Sequence, residues 1–211
     1  MKLFNFDSPL GQLLTKITDL LLLNLCFLIC CIPIFTIGAS LTALYSVSLT
    51  QSNDSGILYR FFSAFKTNFQ KSTVIWLIIL CIGAFFILDM IVLSSLTIVG
   101  AEFVCIILQI GIFLLLEVSC LAFPLTAKYD NSVLQTLKNA LIFSIVGVPF
   151  VLLMLLLGLS PLILWWFSAD LFMASLVVWF FIGASLTAAI NSRLLLFFFQ
   201  KFQEPPINDT P

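Results

Sequence analysis

An all-α bundle of helices that crosses a membrane is the fold class this sequence predicts, and three observations predict it. The chain is 62% hydrophobic and 9% charged, with a mean hydropathy of +1.20. A soluble domain carries roughly 25% charged residues, and 211 residues could not hide this much apolar surface from water. Apolar stretches long enough to cross the hydrocarbon core recur along the chain, about 20 residues being needed for each untilted crossing. Finally, all nine Lys and Arg can be placed on one side. Lys2 and Lys16 come first, then Arg60, Lys66 and Lys71, then Lys128 and Lys138, then Arg193 and Lys201. Short loops rich in Lys and Arg stay in the cytoplasm. The expected topology therefore has six spans with both termini cytoplasmic, in the plasma membrane.

The first element starts at Asp7-Ser8-Pro9, where Asp or Ser caps a helix and Pro fits its first turn. Leu10, Leu13, Leu14, Ile17 and Leu21 recur on one face and lead into a first span over about 17–33. Asp7 and Asp19 acidify the region before the apolar run, and the run is longer than the apolar part of a signal peptide, so this helix is read as retained. Pro33 and Gly38 predict a break. The stretch 35–51 after it is either a short second span or a re-entrant, tilted segment; the second choice leaves five full spans.

Residues 57–71 read as an amphipathic helix lying in the membrane interface. Leu58, Phe61, Phe62, Phe65 and Phe69 line one face, with Arg60, Lys66, Asn68, Gln70 and Lys71 on the remainder. Such a helix either covers the ends of neighbouring spans or docks a partner or anionic lipid; Arg60, Phe61, Phe62, Phe65, Lys66 and Phe69 are its candidate contact residues. A third span is expected over 73–95, a turn through Thr97 and Gly100, and a fourth span over 102–125 ending near Pro124. Asn131 or Ser132 caps the next helix, which enters the membrane near Ala140 and leaves near Leu164. Trp165 and Trp166 mark the opposite interface, where amphipathic rings collect. The last span covers 171–192. The whole of 1–203 reads as one transmembrane domain, with 204–211 a disordered tail.

One heptapeptide occurs twice, as 37–43 and 182–188: Ile-Gly-Ala-Ser-Leu-Thr-Ala. Small residues let helices approach closely in lipid, so Gly38, Ala39, Ser40, Gly183, Ala184 and Ser185 are candidate packing residues. The two copies could pack on each other or occupy matching positions of a repeat.

Polar groups at bilayer depth are costly and tend to carry function. Asn24, Asp89, Gln109 and Glu117 qualify, with Glu102 at the mouth of the fourth span. Spacings of seven and eight residues put Glu102, Gln109 and Glu117 on broadly one side, a polar stripe expected to face the bundle interior. It would serve as interhelical glue or as a substrate or proton path.

Several function classes are excluded or unsupported. A net charge of −1 gives no basic footprint for nucleic acid. The sequence has no His, and no phosphate loop, nucleophile elbow or zinc-protease motif, so the chain reads as no enzyme and implies no cofactor. The six Cys lie inside apolar runs and read as packing residues rather than as disulfides or zinc ligands.

Several fragments, taken together in order, resemble the YesL-like family of bacterial integral membrane proteins of unknown function. They are Phe6-Asp7-Ser8-Pro9, Asn24, Pro33-Ile34-Phe35-Thr36-Ile37-Gly38-Ala39, Phe61-Phe62 with Phe65-Lys66-Thr67-Asn68-Phe69, Phe123-Pro124-Leu125 before Tyr129-Asp130, and Leu137-Lys138-Asn139-Ala140. The resemblance implies a plasma-membrane protein. It also implies an accessory or regulatory role beside carbohydrate-uptake ABC transporters, whose genes often neighbour those of the family. ABC transporter subunits are therefore the expected partners besides the lipid bilayer. The alternative is a small solute transporter or channel with Glu117 in its pathway.

Overall fold

The computed structural model describes residues 9–50, 56–95 and 101–203, and the described residues are helical apart from short breaks and the loop 129–132. The cap expected at Asp7-Ser8, the turn through Thr97 and Gly100, and the tail 204–211 lie outside these residues.

Helix α1 (Pro9–Cys31) ends where expected. Pro33 takes an extended conformation (φ −77°, ψ 121°), and a single 3-10 turn, Ile34–Thr36, leads into α2 (Ile37–Leu49). The Thr36 hydroxyl lies 2.6 Å from the Cys30 carbonyl and 2.7 Å from that of Pro33, covering carbonyls that the break leaves free. With 13 residues, α2 is about 20 Å long, short of the roughly 30 Å core. That is the length expected of the re-entrant or tilted alternative for 35–51.

Helix α2 is also the most enclosed element. Gly38, Ala39, Ser40, Thr42, Ala43, Leu44, Tyr45 and Val47 are all buried. It lies between α1, α3, α4 and α9. Its small residues permit this. A Cβ on Gly38 would stand 2.5 Å from the Ser72 carbonyl oxygen, 2.6 Å from Trp76 Cβ and 3.0 Å from the Phe123 ring. The helices are then stitched by polar groups: Ser72 donates to Thr42 Oγ1 (2.8 Å), and Trp76 Nε1 donates to the Ile34 carbonyl (2.8 Å).

Helix α3 (Ile57–Ser95) corrects the expectation of a separate interfacial helix. Its 39 residues run unbroken, about 58 Å. Residues 57–71 are its N-terminal part, laid along α2. The inward stripe is Phe61, Phe65, Asn68, Ser72, Ile75 and Ile79, spaced by three and four, with Phe61, Ser72, Ile75 and Ile79 buried. Helix α4 (Ala101–Lys128) continues past Pro124, which had been expected to end it. Phe123, Pro124 and Leu125 are buried against the bundle, and tertiary packing outweighs one missing backbone donor.

The fifth span expected over 140–164 is broken twice. Ser132 caps α5 (Val133–Val146), its hydroxyl accepting from the Gln135 N–H. The chain then turns by 103° at Gly147 into α6 (Val148–Gly158). A second break leads to α7 (Ser160–Phe167). Both new helices carry Pro in their first turn, Pro149 and Pro161. Proline cannot donate to the preceding turn, so each is tolerated as a start and not within a continuous helix. The last span is α8 (Ala169–Val178), a π-helical turn (Trp179–Gly183) and α9 (Ala184–Gln203).

By length and composition, four helices can cross a membrane, within 10–31, 57–94, 101–128 and 169–200; the bent α5–α6 pair makes up to five. Burial is concentrated in one part of the bundle. No residue of 80–94, 101–116 or 162–182 is buried. Residues 80–94 of α3 and 101–116 of α4 thus form a largely exposed arm, in which Gly83 lies against Leu115 and Gly111 against Phe86.

The Gly38 approach makes a graded prediction. Gly38→Ala should destabilise the protein by about 1–3 kcal/mol, because backbone must move. Gly56→Ala, whose Cβ would meet nothing within 4 Å, should be neutral or slightly stabilising. Denaturant titration of the purified protein in detergent micelles measures both.

Candidate functional site

Of the predicted polar residues, Asn24 has the best-defined role. A π-helical turn widens the helix and leaves carbonyls without their normal donors. Asn24 Nδ2 donates to two of them, Trp179 (3.2 Å) and Phe180 (2.7 Å), and its Oδ1 accepts the Ser185 N–H (3.0 Å). The Ser185 hydroxyl lies 2.8 Å from the Leu20 carbonyl and 3.0 Å from that of Ile182. One side chain of α1 therefore holds the π turn open and fastens α1 to α9. In hydrocarbon no water can replace these bonds.

The repeated heptapeptide splits its duties accordingly. Gly38 makes room for α3 and α4, whereas a Cβ on Gly183 would meet Trp179 of its own helix at 2.6 Å. Ser40 bonds back to Thr36 within its own segment, while Ser185 reaches across to α1. The copies do not present their glycines to each other. Ala39 is buried and Ala184 half-buried.

Glu117 is 2% exposed, and its Oε1 has no hydrogen-bond partner among the described residues. The expected stripe does not form around it. Glu102 and Gln109 are exposed and Asp89 is half-buried, all three on the largely exposed arm. Eight helical residues advance about 800°, so Glu117 points about 80° away from Gln109. Glu102 stands in the first turn of α4, where a carboxylate complements the helix dipole.

The 57–71 face is likewise divided. Phe61 is fully buried, so it cannot belong to a contact surface, and Phe65 is half-buried. Phe62, Lys66 and Phe69 remain exposed, joined by Leu58 and Tyr59. Arg60 donates to the carbonyls of Val47 (3.1 Å) and Thr50 (2.5 Å), closing the C-terminal end of α2 where cations are favoured. Nearby, Lys71 Nζ reaches Asp130 Oδ1 at 2.6 Å and ties α3 to the loop after α4. The ammonium and its hydrogen bond hold the Asp130 carboxyl below the usual carboxylate range.

Sequence reasoning missed one constellation. A cavity of about 320 Å³ lies between α1, α2, α4, α6, the π turn and α9, lined mainly by apolar side chains such as Phe27, Leu44, Trp76 and Met154. At its wall Asn191 Nδ2 donates to Tyr45 Oη (3.3 Å). Asn191 is 2% exposed and its Oδ1 has no partner among the described residues. Asn191 lies at the end of the expected last span, two residues before Arg193, and was not among the candidate polar residues. Glu117 does not line this cavity, although Leu116, Ser119 and Cys120 do.

These features define a membrane-embedded α-helical bundle in which several buried polar groups, among them Asn24, Ser72 and Ser185, join helices. Residues 20–90 match a family described as a protein of unknown function, DUF624. The matched stretch holds Asn24, the Pro33 break, the Gly38 approach and all but the last turn or so of α3. No curated protein and no solved structure matches the chain.

Asn24→Leu should cost about 1–3 kcal/mol, since three backbone groups lose their partner at once. Asn24→Gln should recover little, as the longer amide cannot meet the π turn in the same place. Thermal unfolding in matched detergent gives the ranking.

Proposed function

We propose that this protein is a non-enzymatic accessory or regulatory component of a carbohydrate-uptake system of the ABC type. We place it in the plasma membrane with both termini in the cytoplasm, and group it with the YesL-like proteins. Of the fragments that carry this last likeness, Asn24, 33–39 and those within 61–69 fall inside 20–90, the stretch matched to a family of unknown function, and 6–9, 123–130 and 137–140 fall outside it. The orientation rests on the distribution of Lys and Arg.

The observation that carries the accessory reading is the exposed face of α3. Tyr59, Phe62, Lys66 and Phe69 stand free along a rigid helix whose opposite side is anchored on α2. Aromatic and cationic side chains held on a rigid support suit protein contact. The apolar arm adds Gln109, an amide exposed among Ile106, Ile107, Ile110 and Phe113. Amides of this kind form hydrogen bonds between helices in lipid.

A photo-crosslinking residue placed at Phe62 in native membranes should capture a permease subunit, and Lys66→Glu should reduce that yield several-fold. Recovery of lipid adducts alone would overturn the accessory reading. The transporter reading draws on the unpartnered Glu117 oxygen. It requires that the purified protein move solute in liposomes and that Glu117→Gln change the rate; equal rates remove the carboxylate from any pathway.

A further inference from the structure

We propose that the groove between the C-terminal end of α2 and the first three turns of α3 binds a neutral sugar ring, either free in solution or as the head of a glycolipid. The inference rests on the wall of this groove alone and stands even if the accessory reading fails. The groove holds about 400 Å³, within the roughly 300–1,000 Å³ typical of small-molecule sites.

Two ladders of hydroxyls line it, Ser46 and Thr50 on α2, Ser63 and Thr67 on α3. Each ladder is built the same way. The Thr hydroxyl donates one turn back to the Ser carbonyl, Thr50 to Ser46 (2.8 Å) and Thr67 to Ser63 (3.0 Å). With their protons spent on backbone, both Thr oxygens offer the groove lone pairs. Asn68 is in the same state, since its Nδ2 donates to the Ala64 carbonyl (3.0 Å) and its Oδ1 is left to accept. That carbonyl also fixes which way the amide stands. The hydroxyls of Ser46, Tyr59 and Ser63 have no partner among the described residues, and they supply the donors. These groups are open to a ligand: Thr50, Tyr59, Ser63 and Thr67 are exposed, and Ser46 and Asn68 are half-buried.

The mixture of donors and acceptors selects the ligand. A hydroxyl gives and takes a hydrogen bond at one atom, and a sugar ring carries several at fixed spacing. A phosphate or carboxylate only accepts, and here it would meet the lone pairs of Thr50, Thr67 and Asn68. The Arg60 side chain lines the groove, but its Nη2 is turned to the carbonyls of Val47 (3.1 Å) and Thr50 (2.5 Å) at the end of α2. An ammonium would meet that guanidinium, and no Asp or Glu among the described residues lines the groove to receive it. The apolar part of the wall fits as well. Val47 is buried and Ala64 half-buried, and they form a floor between the ladders. Tyr59, 71% exposed, sets an aromatic ring at the rim. The C–H face of a sugar lies on such surfaces, while its hydroxyls reach the ladders.

The test uses the full chain in phosphatidylcholine nanodiscs, with the methyl glycosides of glucose, galactose and mannose as probes and saturation-transfer NMR as the readout. At least one probe should receive magnetisation from the protein, and an excess of the matching free sugar should quench it. Thr67→Val removes one acceptor at an exposed position and should weaken binding about fivefold. Ser63→Trp, also at an exposed position, fills the groove and should abolish transfer, with helicity and monodispersity as in the unsubstituted protein. Thr15→Val, which removes an exposed hydroxyl on α1, should change nothing. Nanodiscs doped with a monoglycosyl diacylglycerol of the same sugar separate the two sources. Loss of the probe signal in the doped discs assigns the groove to a glycolipid head, and an undiminished signal assigns it to a free sugar. Absence of transfer to all three probes, undiminished transfer with Ser63→Trp, or displacement by inorganic phosphate as effective as by the sugar would each overturn the proposal. No permease subunit takes part, so these outcomes are separate from those that decide the accessory reading.

Discussion

The approach of α2 to α3 at Gly38 is the constraint on which the rest of the bundle depends. Lipid solvates an apolar side chain as well as a protein interior does, so helices in a membrane gain little by burying Leu against Leu. They gain by fitting closely and by pairing polar groups. Gly38 supplies the fit, since its missing side chain lets the Ser72 carbonyl and Trp76 come close. The pairs Ser72–Thr42 and Trp76–Ile34 follow from that spacing. Arg60 then closes the far end of α2. With α2 fixed, its other faces become the floor on which α1, α4 and α9 rest.

A second polar joint works differently. At Asn24 the partner helix is not regular but widened, and the widened turn offers carbonyls that one amide can reach. The π turn also sets Trp179 at the edge of the cavity, where its Nε1 donates to Ser160 (3.3 Å) at the start of α7. Irregular backbone at this depth is tolerated because a neighbouring side chain completes its hydrogen bonds. Joint and cavity are thus parts of one arrangement, built from residues that are far apart in the chain.

Much of the architecture was legible in the residues. Pro33 announced the break after α1, and Asn131 or Ser132 the start of α5, where Ser132 is the cap; Asn24 stood out as a polar residue at bilayer depth, without its partners. What was misread shows where local patterns stop being sufficient. The aromatic residues of 57–71 looked like one face toward lipid, but the face that packs is offset and contains Arg60 and Asn68 beside Phe61. Both polar residues bond to backbone carbonyls, Arg60 on α2 and Asn68 on Ala64 of its own helix, so polarity did not mark the outside. Pro149 and Pro161 were given no weight, because the apolar run around them suggested one uninterrupted crossing. The stripe of Glu102, Gln109 and Glu117 failed through angular drift over eight residues, and because residues 101–116 of α4 are largely exposed. The Tyr45–Asn191 pair joins residues 146 positions apart, a pairing that no periodicity within either helix encodes.

The arm formed by 80–94 and 101–116 has one more consequence. None of its residues is fully enclosed, so most of its surface is left to lipid. Hydrophobic mismatch is relieved by tilting, and a part of the chain with so little enclosed surface resists such tilting less than the close fit around Gly38 does.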